Sequence, residues 1–274
     1  MEIVLTIAGS DPSAGAGIQQ DLKTITATGC YAATAITAIT VQNTLGVTNV
    51  MPLPGSIVAE QIDAVFNDLD VKAVKIGQIP NLDTAQAIVS ALQRHCANHN
   101  VAIVYDPVMI STSGRALMEQ ECIGYICSHL FGMCSLVTPN IPEAQTLLQR
   151  ELNTPDDIDI AGGELAKRFH TAFLLKGGHS ADDFSTDSLY LTDGTPHKFS
   201  SQKIATKNLH GTGCTLSSAI ASYIAQGATI AQAVSQAHTF VHNAIKRSTN
   251  HGIGHGNGPI LTAPQPLRGG SSCG

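Results

Sequence analysis

Short apolar runs rich in β-branched residues alternate with longer segments of helical period along most of this chain, and no other feature restricts its fold as much. Runs of Val, Ile and Ala with no polar face must be buried on both sides, so they belong to a parallel sheet between two layers of helices. The runs fall at 2–8, 34–40, 71–76, 101–105, 134–138 and 172–176, with helices expected at 15–28, 56–69, 81–98, 115–129, 141–149 and 157–169. After Lys176 the pattern changes. Segments 186–191 and 196–200 flank Thr192-Asp193-Gly194-Thr195 and read as a hairpin with an Asp-Gly turn, followed by helices at 213–226 and 229–247. The expectation is one α/β domain over 1–260 and a flexible tail over 261–274, where Pro, Gly and Ser leave no period.

Composition narrows the function. Charged residues make up only 13% and hydrophobic residues 43%, so most helices must lie on a core. A net charge of -6 supplies no attraction for nucleic acid or anionic membrane, and 4% aromatics without Trp supply no base-stacking platform. The expected partner is a small molecule, with no nucleic acid and no membrane. Seven cysteines, an odd number with no Cys-x-x-Cys pair, read as reduced thiols of a cytoplasmic protein.

Ligands of open α/β sheets bind beyond the carboxyl ends of the strands, and polar residues gather at those points here. The first strand runs into Ala8-Gly9-Ser10-Asp11-Pro12-Ser13-Ala14-Gly15-Ala16-Gly17, which lacks the Lys of a P-loop and has Gln20 where a dinucleotide fingerprint needs a third small residue. Asp21, one turn into the next helix, is either a dipole-favoured carboxylate or an acceptor for a substrate amine. Gln42 can give and accept hydrogen bonds to a heteroaromatic ring or can pair loop backbone. Asp106 before Pro107 is a turn acceptor or a metal-side carboxylate. Asn140 and Glu143 straddle a helix start, where they cap it or organise water around Mg²⁺. Lys176, ahead of Gly177-Gly178, points at phosphates or snorkels.

The densest signal is Asn208-Leu209-His210-Gly211-Thr212-Gly213-Cys214-Thr215, followed by a small-residue helix. Glycines at 211 and 213 let successive amides turn one way, and the helix adds its positive end, which together make a place for an anion. Cys214 lies in the first turn, where either dipole and unpaired amides lower a thiol from its free value of about 8.5, or the glycines are only a loop and the cysteine a buried small hydrophobe.

These segments, together with Gln42-Asn43-Thr44, Lys75-Ile76-Gly77, Asp106-Pro107-Val108-Met109, Thr138-Pro139-Asn140, Lys176-Gly177-Gly178-His179 and Gly254-His255-Gly256-Asn257-Gly258-Pro259, resemble the hydroxymethylpyrimidine/phosphomethylpyrimidine kinases of the ribokinase superfamily from residue 3 to about 260. The resemblance implies a ribokinase-like fold and ATP-dependent phosphorylation of 4-amino-5-hydroxymethyl-2-methylpyrimidine, then of its monophosphate, for thiamine biosynthesis. It implies Cys214 as the base, with amides of residues 211–214, Gly211 and Gly213 among them, on the transferred phosphoryl group. Asp21, Gln42, Val108 and Gly9 match the pyrimidine side. Lys176, Asp106, Thr212, Asn140 and Glu143 match the ATP side, the last two holding Mg²⁺ through water. A homodimer is the family's state. Two departures stand out: Gln78 where relatives commonly have Met, and Arg115-Ala116 where they have an acidic residue and Pro. Pyridoxal or pyridoxine kinases of the same fold are the rival enzymes, although they tend to have Met at the position of Gln42. A non-catalytic pyrimidine-binding module is the other rival, and it predicts loss of Cys214, Asn140, Glu143 or Lys176, all of which are present.

Overall fold

The computed structural model describes residues 1–96, 100–110, 114, 116–177, 183–193 and 195–262. Gly178 and His179, Ser113 and Arg115, Gly194 of the hairpin turn, Cys273 and the tail from 263 onward lie outside the described residues.

The strand β1 (Ile3–Ser10) pairs in parallel with β2 (Tyr31–Asn43) on one side and β4 (Val71–Ile76) on the other. From β4 the sheet continues in parallel through β5 (Ala102–Tyr105), β6 (Leu136–Val137) and β7 (Ala172–Leu175). Antiparallel strands finish both edges, β3 (Gly46–Pro52) beyond β2, and β8 (Phe184–Tyr190) then β9 (Pro196–Gln202) beyond β7. The order is β3-β2-β1-β4-β5-β6-β7-β8-β9.

Consecutive strand residues serve opposite layers, as a pleated strand requires. Leu5, Val74, Ile103, Val137 and Phe173 face α2 (Gly55–Asp68), α3 (Leu82–Cys96), α4 (Gln120–His129), α5 (Ile141–Leu148) and α6 (Pro155–Phe169). Their neighbours Val4, Ala73, Val104, Leu136 and Leu174 face α1 (Gly17–Ala27), α7 (Thr212–Ala225) and α8 (Ile230–Ser248). Each fully buried Leu or Ile contributes about 1.5–3 kcal/mol, so both layers are needed. α7 lies between α1 and α8 and packs on β4 and β5, a central place that only its small Ala and Ser residues allow.

The mostly parallel sheet with helices on both faces is the architecture expected from the sequence. Three details differ. Strand β2 is longer than 34–40 and turns back at Thr44-Leu45 into β3, a strand the apolar pattern did not announce. Asn43 Oδ1 makes the turn by accepting the amides of Leu45 (2.9 Å) and Gly46 (3.3 Å). Helix α4 begins at Gln120 rather than 115. Leu261 and Thr262 are not free tail: Leu261 N donates to Ser248 Oγ at 2.7 Å, and Arg247 holds both carbonyls. No helix among the described residues is long and apolar enough to cross a membrane.

Candidate active site

Since β2 and β4 leave β1 on opposite sides, a crevice opens at the carboxyl ends of β1 and β4. A cavity of about 200 Å³ lies there, walled by Gly9-Ser10-Asp11, Gln42, Gly77-Gln78, Asp106, Val108, Asn140, Glu143, Lys176 and residues 209–214. Every site residue expected from the sequence lines it except Asp21.

The floor is the start of α7. Gly211 is its N-cap in the left-handed region (φ 82), and a Cβ there would stand 1.9 Å from the Gly15 carbonyl oxygen, so only glycine fits. With no side chain capping the helix, the amides of Gly213 and Cys214 have no acceptor among the described residues and remain for an anion. Thr212 is different: its amide (3.2 Å) and hydroxyl (2.7 Å) both donate to the Leu209 carbonyl, so it shapes the loop and is not a free donor.

Cys214 sits between this helix start and that of α1, whose Gly17 amide favours its thiolate. Burial nevertheless pushes the thiol up to about 11, with Asp21 and Asp106 adding to the rise and Lys75 opposing it. The lowered thiol expected from the helix terminus is therefore corrected: desolvation exceeds the dipole.

Asp21 is also corrected. Both of its oxygens receive Lys75 Nζ at 2.8 Å, with Thr6 Oγ1 (2.7 Å) and Ser218 Oγ (2.8 Å) completing the shell, and neither charged side chain is exposed. No lone pair of Asp21 faces the cavity. It positions Lys75, which reaches the cavity wall under Gly77 and beside Cys214. Burial alone would lower the Lys75 ammonium, but the neighbouring anions, Asp21 first, outweigh it and hold the amine protonated. The missed signal was Lys75 itself, at an inward position of an apolar strand, since a buried lysine requires an anion.

On the opposite wall Lys176 Nζ donates to Asp106 Oδ1 at 2.6 Å, and Thr138 Oγ1 lies 3.2 Å from the same oxygen. A Cβ on Gly213 would stand 3.3 Å from Asp106 Oδ2 and 3.5 Å from Lys176 Nζ, which places the pair directly over the free amides. Burial works against the Lys176 charge, but Asp106 and Glu143 more than offset it. Glu143 is pushed up to about 7 by burial, with Asp106 repelling its charge and Lys176 favouring it. Asn140 and Glu143 form the capping box of α5, each accepting the other's amide at 2.8 Å. The capping reading is realised, and both residues also line the cavity.

Gln42 projects from β2, its Nε2 3.1 Å from His210 Nε2 and its Oε1 3.2 Å from Thr40 Oγ1. His210 also lies 3.1 Å from Asp11 Oδ2. Asp11 accepts the amides of Ser13, Gly15 and Ala16, and these bonds with His210 outweigh its burial and keep its pKa low. His210 and Asp11 were not expected at the site. Both lay inside quoted motifs, but only the fold joins them across 199 positions. Residues 254–260 strap this corner: His255 and Gly256 donate to Thr44 Oγ1 at 3.2 Å, Asn257 to the Thr44 carbonyl, and Ile260 to the His210 carbonyl.

A family model described as phosphomethylpyrimidine kinase matches residues 11–261. A hydroxymethylpyrimidine/phosphomethylpyrimidine kinase of Rhizobium meliloti is 43% identical over 94% of this chain and 96% of its own length. The protein of the same name from Escherichia coli is 39% identical over 93% and 95%. Among solved structures, phosphomethylpyrimidine kinase from Clostridium difficile superposes with a TM-score of 0.78 at 39% identity, over 89% of this chain and 100% of that one. Pyridoxal kinase from Staphylococcus aureus, in complex with AMP-PCP and pyridoxal, superposes with a TM-score of 0.85 at 29% identity, over 96% and 93%.

Proposed function

The chain belongs to the phosphomethylpyrimidine kinase family, and from that premise we propose that it transfers the γ-phosphoryl group of ATP to 4-amino-5-hydroxymethyl-2-methylpyrimidine, and then to the monophosphate, in thiamine biosynthesis. The observation that carries this reading is Cys214 facing the cavity beside uncapped amides, with the Lys176–Asp106 pair overhead. Cys214, as thiolate, takes the proton of the substrate hydroxyl while that oxygen bonds phosphorus and the bridging oxygen leaves with ADP. The amides of Gly213 and Cys214 hold the phosphoryl oxygens in transit. Lys176 supplies positive charge on the nucleotide side. Burial favours the thiol in the ligand-free site, so Cys214 must first lose its own proton, and Lys75 is the counter-charge for the thiolate.

Mg²⁺ takes hard oxygen ligands, often one or two carboxylates with the substrate's phosphates, and the residues present fit that use. No group of three His, Cys, Asp or Glu among the described residues surrounds a metal position, so the phosphates must contribute. Asp106 Oδ2 faces the cavity, whereas Asn140 and Glu143 have committed oxygens to the cap and fit contact through water. When bound, the ion would neutralise phosphate charge. Gln42, Gly9 and Val108 line the pyrimidine side. The reading carries with it one kinase domain over 1–260, a cytoplasmic location and a homodimer.

Pyridoxal is the second reading, favoured by the superposition on the Staphylococcus aureus kinase. The two separate in one experiment, mass spectrometry of products from MgATP with hydroxymethylpyrimidine and pyridoxal in competition. Pyrimidine mono- and diphosphate are expected, and Cys214→Ala should lower their formation about 10²-fold or more while retaining pyrimidine binding. Dominant pyridoxal phosphate overturns the substrate, and an unchanged rate overturns the base.

A further inference from the structure

Gln78 follows β4 and is 8% exposed, what remains of its surface facing the cavity. Its amide is oriented by the protein: Nε2 lies 3.3 Å from the Leu117 carbonyl, an acceptor only, so Oε1 is the atom left to the other side. That oxygen lies against Gly9, where a Cβ would stand 2.1 Å away. No donor among the described residues reaches Gln78 Oε1. Gln42 is oriented differently: its Nε2 lies 3.1 Å from His210 Nε2, and its Oε1 lies 3.2 Å from Thr40 Oγ1, whose proton goes to the Ser10 carbonyl at 2.8 Å. A carbonyl oxygen that faces the cavity without a protein donor is free to take one from water or from a ligand.

We propose that Gln78 is a specificity-determining residue whose Oε1 accepts a hydrogen bond from the exocyclic amine of the aminopyrimidine substrate. The inference rests on the pyrimidine-kinase reading and deepens it. That substrate has two kinds of donor, its hydroxyl and its amine. The hydroxyl proton goes to Cys214, so the amine is the donor that remains. An apolar side chain at position 78 cannot make this bond, so this chain reads the amine with a group of its own.

The test compares 4-amino-5-hydroxymethyl-2-methylpyrimidine with the analogue lacking the amine, for the unaltered enzyme, Gln78→Met and Gln78→Glu. Turnover and ligand-induced thermal stabilisation are both measured. The unaltered enzyme should prefer the amine by at least about tenfold in kcat/KM, and Gln78→Met should bring the preference to within about threefold. Gln78→Glu keeps an acceptor but not the donor to Leu117, and should retain the preference. If Gln78→Met lowers kcat/KM for both compounds equally, or Gln78→Glu loses the preference as fully as Gln78→Met, the residue only anchors Leu117 and the inference falls. If the unaltered enzyme phosphorylates neither compound, the kinase reading falls instead, and the ratio of stabilisation by the two pyrimidines still tests Gln78.

Discussion

Two aspartate–lysine pairs flank Cys214, and they differ in little but access to water. Asp21–Lys75 is sealed, both side chains 0% exposed and all carboxylate contacts internal. Asp106–Lys176 is closed on one side only: Lys176 is 16% exposed, and the second Asp106 oxygen looks across the cavity toward Gly213. In the first both carboxylate oxygens are committed to protein donors, so Asp21 holds geometry and Lys75 meets the cavity only as a fixed charge beside Cys214. The second has an oxygen without a donor among the described residues and a cation at the surface of the site, so it can change partners. Equal charges of equal type become framework or instrument according to which of their lone pairs the fold has already used.

The largest expected effect tests whether Asp21 cancels Lys75 at the thiol. In the ligand-free protein, alkylation of Cys214 by iodoacetamide, followed on its peptide by mass spectrometry, should rise about a thousandfold from pH 7 to pH 10 without levelling. The sign follows from a thiol raised to about 11, neutral below that value. A plateau near 8.5 would mean that Lys75 and the helix ends prevail. Next, Lys75→Met leaves Asp21 buried and unpaired and should cost about 3–5 kcal/mol in denaturant unfolding. Adding Asp21→Asn should restore much of it.

Lys176→Met should instead lower turnover about 100-fold while costing far less stability than Lys75→Met, because Asp106 can turn to cavity water. Equal losses of stability in the two variants would erase the distinction drawn here. Smallest is Ser218→Ala, which removes one donor from the sealed carboxylate and should cost about 1.5 kcal/mol with kcat within roughly threefold of the parent. A large fall in kcat would show that this one donor to Asp21 sets how much of the Lys75 charge reaches the thiolate.

Much of this was legible in the sequence, for physical reasons. Parallel strands buried on both faces must be uniformly apolar, so β1, β4, β5 and β7 were readable as runs. The capping box at Asn140 and Glu143 and the Gly211–Cys214 helix start are local devices, fixed by residues three or four apart. Strand β3 was hidden because Gly46-Val47-Thr48-Asn49-Val50-Met51-Pro52 is an edge, with neither alternation nor an apolar run. Asp21 was misplaced because its role depends on Lys75, Thr6 and Ser218, brought together only by the sheet and α7. The thiol was misjudged because a helix terminus is visible in sequence and the depth of burial is not.

The strap over Thr44 has a bearing on how the protein comes into being. Its residue His255 bonds to a partner made 211 positions earlier. During synthesis β1, β2 and β4 can pair, and much of both layers can collapse, before the segment that fastens Thr44 and His210 has left the ribosome. The newborn chain therefore passes through a stage in which it has a sheet but no finished binding corner, and its first competent moment comes only after residues 254–260 have emerged.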